Sequence, residues 1–437
     1  MSLKYSLISN RSVALPFIIS HICCVILTIM KNYLLLAAMA LSANVFAQRT
    51  CGAEQKRKDF YAKHPEALAR RADLQNYLSG KNNITTTKKT VITIPIVVHV
   101  LYRNATENIS DAQIASQITV LNQDYRKLNA DFNTVVPDAF KPNGADLEIM
   151  FCMATKDPAG NPTNGIERKA VPANFNYTDN YYTVSGLAAW DTTKYLNIWI
   201  GNPEGALGFA SGPEEAGQPD DGMVIGYYCY GTTGAVNSTN NKGRTATHEI
   251  GHYFGLQHIW GEDDSVCGAP DNTDYCADTP ATNHAYYGSP TFPNNQYTCV
   301  NSAIGAMFMN YMDYVDDAYM AMFTNDQKTI VQNALAGPRA SLLNSNGCST
   351  VLGIDEAEKS NAINVFPNPT AQYISIASPL VKINEVEIYN AEGRLVKNAF
   401  IKNETDKIDV KDFQNGVYFI RTYADKRFVK SMKFIKK

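Results

Sequence analysis

The segment His248-Glu249-Ile250-Gly251-His252-Tyr253-Phe254-Gly255-Leu256-Gln257-His258 constrains this chain more than any other. Two histidines four apart share one face of a helix, so both rings can address a single ion. Gly255 lets the backbone leave helical geometry in a sharp turn, which carries His258 round as a third donor. Three neutral imidazoles suit Zn²⁺ and leave a fourth position for water, the arrangement of a catalytic rather than a structural site. Such a water has a pKa of roughly 7. Glu249, beside a ligand, is placed to take its proton and pass it to a leaving amine. A bare H-E-x-x-H arises by accident, but five specified residues at these offsets coincide on the order of 10⁻⁵ times per chain of this length. Of the other histidines, His99 lies in an apolar strand and reads as core, and His284 lies in a loop and reads as solvated.

Around this segment the 437 residues have room for two domains and processing segments. The formal net charge of −3 advertises no polyanion-binding surface, so nucleic acid is not an expected partner. Residues 1–47 read as targeting. An apolar stretch covers 12–29, then Met30-Lys31 opens a basic start, a short apolar core and small residues before Gln48, the pattern of a secretory signal. Met30 is read as the true start; the competing reading is a membrane anchor through 12–29. Seven cysteines follow this segment: Cys51, Cys152, Cys229, Cys267, Cys276, Cys299 and Cys348. Export favours their pairing, and an odd number leaves at least one thiol over.

Residues 48–89 are polar, with a helix-like stretch around Phe60–Tyr77, and read as a pro-segment. Residues 90–348 are α/β (α+β) in character. Val91–Leu101 is an almost continuous β-branched run that predicts a buried strand. Ser110-Asp111 caps a helix carrying Ile114, Ile118, Leu121 and Tyr125 at helical spacing. Strands are predicted at Leu147–Met153, Tyr195–Ile200 and Met223–Tyr227, and helices at about Gly243–Phe254 and from Thr324, where Gln327 completes a capping box. Residues 349–363 read as a linker. From 364 to 437 only short strands separated by turns remain, predicting a small all-β sandwich.

The H-E-x-x-H-x-x-G-x-x-H pattern, with Asn310-Tyr311-Met312-Asp313-Tyr314 supplying a methionine turn, resembles the metzincin zincins. Gly255–Gly261, Ala277-Asp278-Thr279-Pro280, Met307–Met309 and Phe323–Gln327 narrow this to the pappalysin family, in its cytophagalysin branch, over about residues 90–348. The resemblance implies a metzincin-type catalytic domain and a zinc endopeptidase acting on proteins or peptides. It implies Met312 as the floor beneath the histidines and Tyr314 as the group facing the oxyanion. It also implies structural Ca²⁺ after the third histidine. Asp271, Asp274, Asp278 and Thr279 offer hard oxygens there, and Glu214, Glu215, Asp220 and Asp221 lie in the preceding acidic loop.

The resemblance further implies a Cys267–Cys299 disulfide. A second bridge of the family is absent, its positions reading Ser289 and Tyr319; Cys276 is then an extra thiol, with Cys229 offered as its partner and the pairing of Cys152 and Cys348 open. Arg49-Thr50-Cys51-Gly52 resembles a cysteine switch, in which Cys51 fills zinc's open position in a zymogen. The competing reading is a lipid-modified or disulfide cysteine. Val365-Phe366-Pro367-Asn368-Pro369 and Gly416–Arg421 are similar to type IX secretion sorting domains. They imply the type IX machinery as a partner, and export through a Gram-negative periplasm to the surface or medium with no stable membrane span. The rival function is a surface adhesion module whose metal is structural, which would have no use for Glu249.

Overall fold

The computed structural model describes residues 51–80, 91–262, 266–348, 363–378, 381–403, 406–424 and 427–437. The expected targeting segment, residues 1–47, lies outside these, as do residues 81–90 and the expected linker through residue 362. The chain divides into two compact units, the first ending at Cys348 and the second formed chiefly by the tail. Among the described residues, no helix is long and apolar enough to cross a membrane.

The first unit is organised by β1 (Ile92–Tyr102), whose residues Ile94 to Leu101 are all buried. A β-branched run of this kind forms a strand covered on both faces. Along one edge it pairs with β2 (Ile149–Met153) and then β3 (Ile166–Ala170), and along the other with β4 (Leu196–Gly201), all in parallel. The sheet continues through β6 (Met223–Gly226) to β5 (Gly208–Ala210), which runs antiparallel and forms the outer edge. Neither β3 nor β5 was foreseen. β5 has only three residues, two of them Gly and Ala, so it carries no hydrophobic period.

Three helices frame the site. The first along the chain is α4 (Asp111–Asp124). Ser110 caps it, its hydroxyl accepting from the Gln113 N–H at 3.2 Å. Next is α5 (Arg244–Tyr253), all ten residues of which are buried. The glutamine side chains of α4 secure what precedes α5: Gln117 donates to the Gly243 carbonyl at 2.9 Å, and Gln113 to those of Tyr227 and Tyr230. The third, α6 (Asn325–Ala336), begins with the expected Thr324–Gln327 capping box. Gln327 also exchanges two hydrogen bonds with the Asn310 side chain, whose Oδ1 accepts from the Met312 N–H at 2.9 Å. One cap therefore holds the methionine turn as well as the helix.

Residues 51–80 form an N-terminal arm of helices α1 (Ala53–Lys63), α2 (Pro65–Ala69) and α3 (Arg71–Ser79). The continuous stretch expected over Phe60–Tyr77 is broken because Pro65 must open a helix rather than continue one. Leu78 of the arm is fully buried in the main core, and Asn333 on α6 donates to the carbonyls of Leu78 and Gly80.

Cys267 pairs with Cys299 as expected, and Cys152 with Cys348. The suggested Cys229–Cys276 bridge is not formed. Cys229 Sγ lies beneath the turn after β6 and donates to the Gly226 and Leu207 carbonyls, while Cys276 Sγ is turned to the Asp274 carbonyl. His99 is core, stacked on Trp199 and bonded to Glu167 and Asn197, and His284 is exposed, both as expected. The second unit is all-β. One sheet joins β13, β10 and β9 (Ile408–Asp409, Tyr373–Ala377, Asn364–Phe366), and the other β12, β11, β14 and β15 (Leu395–Phe400, Glu385–Tyr389, Gly416–Ala424, Arg427–Lys436). All these pairs are antiparallel, and Ile374, Val386, Ile388, Ile420 and Phe434 share the core.

Candidate metal centre

His248 and His252 lie one helical turn apart on α5, and their rings are fixed from behind. His248 Nδ1 is 2.7 Å from the Tyr311 carbonyl oxygen and His252 Nδ1 is 2.8 Å from that of Leu256. A carbonyl oxygen only accepts, so each Nδ1 carries the hydrogen and each Nε2 presents a lone pair. Past α5, Gly255 adopts φ +95°, and the chain turns to bring in His258. Trp260 stacks flat on that ring, 4.4 Å between centroids.

The three Nε2 atoms then meet. That of His252 is 3.1 Å from His248 Nε2 and 3.1 Å from His258 Nε2. Two ring nitrogens without hydrogens cannot bond to each other, and burial holds the His252 pKa down to about 3, so a proton does not join them. Lone pairs converging in this way are satisfied by a cation. Their spacing is close to the ~3.3 Å required by tetrahedral bonds of about 2.0–2.1 Å to Zn²⁺. The expected zinc fits the residues present. With Cys51 included, these are the only residues among those described whose His, Cys, Asp or Glu ligand atoms gather in a group of three or more, all within 4.8 Å of one another.

The remaining predicted groups surround this point. Glu249 is buried beside His248, its Oε2 3.5 Å from Cys51 Sγ. The Tyr314 hydroxyl lies 3.1 Å from His258 Nε2 and accepts from the Cys51 N–H at 3.3 Å. Tyr314 is held on β8 (Tyr314–Val315), which pairs with β7 (Tyr287–Gly288). Met312 is fully buried under α5, so close that a Cβ on Gly251 would come 2.5 Å from its sulfur. Gly251 is thus a required part of the motif, for space rather than for backbone freedom. Behind the histidines, Arg244 donates to the Tyr311 hydroxyl at 2.7 Å and pairs with Asp124 and Asp131, steadying the turn whose carbonyl orients His248. Neither this network nor the Trp260 stack was foreseen, because their members are scattered singly along the sequence.

The arm enters the site as a short extra strand. Cys51 bridges Gly208 of β5 in parallel, with the Gly52 N–H donating to the Gly208 carbonyl at 2.8 Å. Beyond it Lys56 pairs with Glu215 at 3.1 Å and Asp220 at 2.8 Å. Arg57 and Arg71 both pair with Glu262.

The acidic residues considered for calcium are dispersed. Glu214 accepts from the Tyr61 hydroxyl, Glu215 and Asp220 face Lys56, and Asp221 binds Arg339 through both oxygens at 3.0 Å. In the loop after His258, Asp274 accepts from the Cys276 N–H at 3.0 Å and the Thr279 hydroxyl at 2.7 Å; burial raises its pKa to about 7. Asp278 keeps one buried oxygen, Oδ1, without a hydrogen-bond partner. In this loop the Asp274 oxygens are engaged by the Cys276 N–H and the Thr279 hydroxyl, and Asp271 is exposed.

A family profile described as pregnancy-associated plasma protein-A matches residues 180–336, and one described as a secretion system C-terminal sorting domain matches 364–437. An extracellular metalloprotease of Arthroderma gypseum is 30% identical over 296 residues, spanning 67% of this chain and 85% of its own. Another from Arthroderma otae is 29% identical over 324 residues, spanning 71% and 99%. Among solved structures, a promirolysin mutant of Tannerella forsythia shares 40% identity at a TM-score of 0.60, covering 68% of this chain and 97% of that one. Mature mirolysin of the same organism, in complex with a cleaved peptide, shares 43% at a TM-score of 0.54, covering 58% and 96%.

Proposed function

Because the chain belongs to the pappalysin family of metalloproteases and ends in a secretion-system sorting domain, we propose that it is exported as a zymogen and hydrolyses peptide bonds with a zinc-bound water activated by Glu249. The observation that carries this reading is the convergence of the three Nε2 atoms, that of His252 lying 3.1 Å from those of His248 and His258, beside a buried glutamate.

His248, His252 and His258 would hold the zinc, which when bound would supply Lewis acidity to a water molecule and to the substrate carbonyl. Glu249 takes the water's proton on its carboxylate as the oxygen attacks, then delivers it to the leaving amine. The Tyr314 hydroxyl donates to the oxygen on which negative charge develops, from its position beside His258. Met312 fills the space beneath α5, packed against Gly251. In the zymogen, Cys51 would offer its thiolate to the zinc and keep Glu249 from substrate, in keeping with its 3.5 Å approach. Residues 48–89 are then the pro-segment and 90–348 the catalytic domain. Residues 364–437 direct the chain across the periplasm and outer membrane of a Gram-negative cell by the type IX route. Calcium is retained at the loop after His258, where Asp278 Oδ1 is the available acceptor and Asp274 and Thr279 complete the loop.

The test is cleavage of a quenched peptide library by wild type and Glu249→Ala, each assayed for zinc. Cleavage by wild type, lost in the variant while zinc is retained, supports the reading. Zinc in both and cleavage by neither, after removal of the arm, rejects it in favour of a binding module.

A further inference from the structure

Lys56 occupies a slot of unusual construction for a residue of a removable arm. Its Nζ lies 3.1 Å from Glu215 Oε2, 2.8 Å from Asp220 Oδ2 and 3.3 Å from the Tyr181 hydroxyl, with the Tyr181 ring beside it. The ammonium is well covered, its side chain 14% exposed; Glu215 is 1% exposed and Asp220, on the rim, 27%. The slot is built by the catalytic unit itself. Glu215 is anchored by the Gly212 N–H at 3.1 Å, and the Tyr181 hydroxyl donates to the Asp220 backbone carbonyl at 3.1 Å. Glu214 and Asp221 belong elsewhere, to Tyr61 and Arg339. The salt bridge of Glu215 among the described residues is with Lys56, so departure of the arm strips a buried carboxylate of its counter-charge. A buried carboxylate left in that state must gain another cation or take up a proton.

The slot lies on the course of the cleft. Cys51, at the metal cluster, bridges Gly208, and β5 runs from there through Ala210 into Ser211-Gly212, whose N–H holds Glu215. A cavity of about 760 Å³ continues past it between α1 and the domain, lined in part by Phe209, Tyr182, Glu204, Gln218 and Asp220. A peptide added to edge strand β5 in the somewhat more stable antiparallel sense would run from the Ala210 end toward Gly208. Residues N-terminal to its scissile bond then pass the mouth of the slot.

We propose that Glu215, Asp220 and Tyr181 form a substrate subsite for a lysine or arginine side chain, N-terminal to the scissile bond, which Lys56 fills in the zymogen. This rests on the endopeptidase reading above. The arm then blocks the enzyme twice, through Cys51 at the metal and through Lys56 in the position of a substrate side chain.

The test uses the full chain, allowed to activate, and fluorogenic peptides in which Lys, Ala or Glu is placed in turn at each of the positions N-terminal to the cleaved bond. At one of them kcat/KM for Lys should exceed that for Ala by about ten- to a hundredfold, the worth of a charge-assisted hydrogen-bonded contact, with Glu poorest. The Lys-to-Ala ratio should fall toward one in Glu215→Gln and part-way in Asp220→Asn, whose rim position makes it the safer variant to fold. Equal cleavage of Lys and Ala peptides at every such position overturns the subsite and leaves the protease standing, as does a preference surviving in both variants. Cleavage of no peptide removes the protease reading and the subsite with it.

Discussion

The histidine cluster and the aspartate loop that follows it both bury ligand-type side chains, yet they reach opposite states. In the cluster, carbonyls of Tyr311 and Leu256 claim the outward ring nitrogens, so every hydrogen bond formed turns another lone pair inward. In the loop, Cys276 N–H and the Thr279 hydroxyl claim the Asp274 oxygens, and Asp326 N–H claims one from Asp278. Of the buried oxygens of Asp274 and Asp278, Asp278 Oδ1 is left over. A ligand set is therefore read from where its supporting hydrogen bonds are spent, and not from its residue types. The first region demands a cation to be satisfied at all, whereas the second is largely satisfied by itself.

The contrast can be broken most severely at the cluster. His252→Ala should lose bound zinc and all measurable peptide cleavage, and Glu249→Gln should keep zinc while kcat falls by about 10³–10⁴. Asp274→Asn should retain zinc, read by metal analysis; loss of zinc there would erase the distinction. Cys51→Ala should raise the activity of the uncleaved chain about tenfold or more, since the thiolate no longer fills the fourth position. Tyr314→Phe should lower kcat by about 10² with little change in KM, as expected for a donor used in the transition state.

The smallest effect lies in the loop and depends on pH. Burial gives Asp274 a folded-state pKa of about 7, against roughly 3.9 in an unfolded chain. Between those values the folded protein holds a proton that the unfolded chain has released. Its stabilising contribution is thus present at low pH and is lost as pH rises from about 4 to about 7. Asp274→Asn lacks that slope. In chelator, the variant's Tm should gain on wild type by a few degrees between pH 4 and 8, and saturating Ca²⁺ should close the gap if Asp274 is a ligand. A gap that shrinks with rising pH in chelator would contradict the buried, proton-holding state.

Much of the site was legible because its spacing is dictated by helix geometry. His248 and His252 had to share a face, Gly255 had to turn the chain, and the Thr324 cap announced α6. The strand β1 was legible from its unbroken β-branched run. What the sequence did not reveal is carried by residues without local pattern. β5 is a strand only because β6 offers it an edge, and Gly208 matters because Cys51 pairs there. Cys152 meets Cys348 across 196 residues, a pairing set by the position of β2 beside β1. The acidic loop looked like a cation site by composition, but its partners Lys56 and Arg339 come from opposite ends of the unit, and no spacing rule connects them.

Zinc K-edge X-ray absorption on the full chain and on its Cys51→Ser variant tests the central claim most directly. The account predicts one zinc bound by three imidazole nitrogens in both. A single sulfur at about 2.3 Å should appear in the full chain and be replaced by a light oxygen scatterer in the variant. A sulfur shell that survives Cys51→Ser, or a zinc lacking the three imidazoles in either protein, would contradict it.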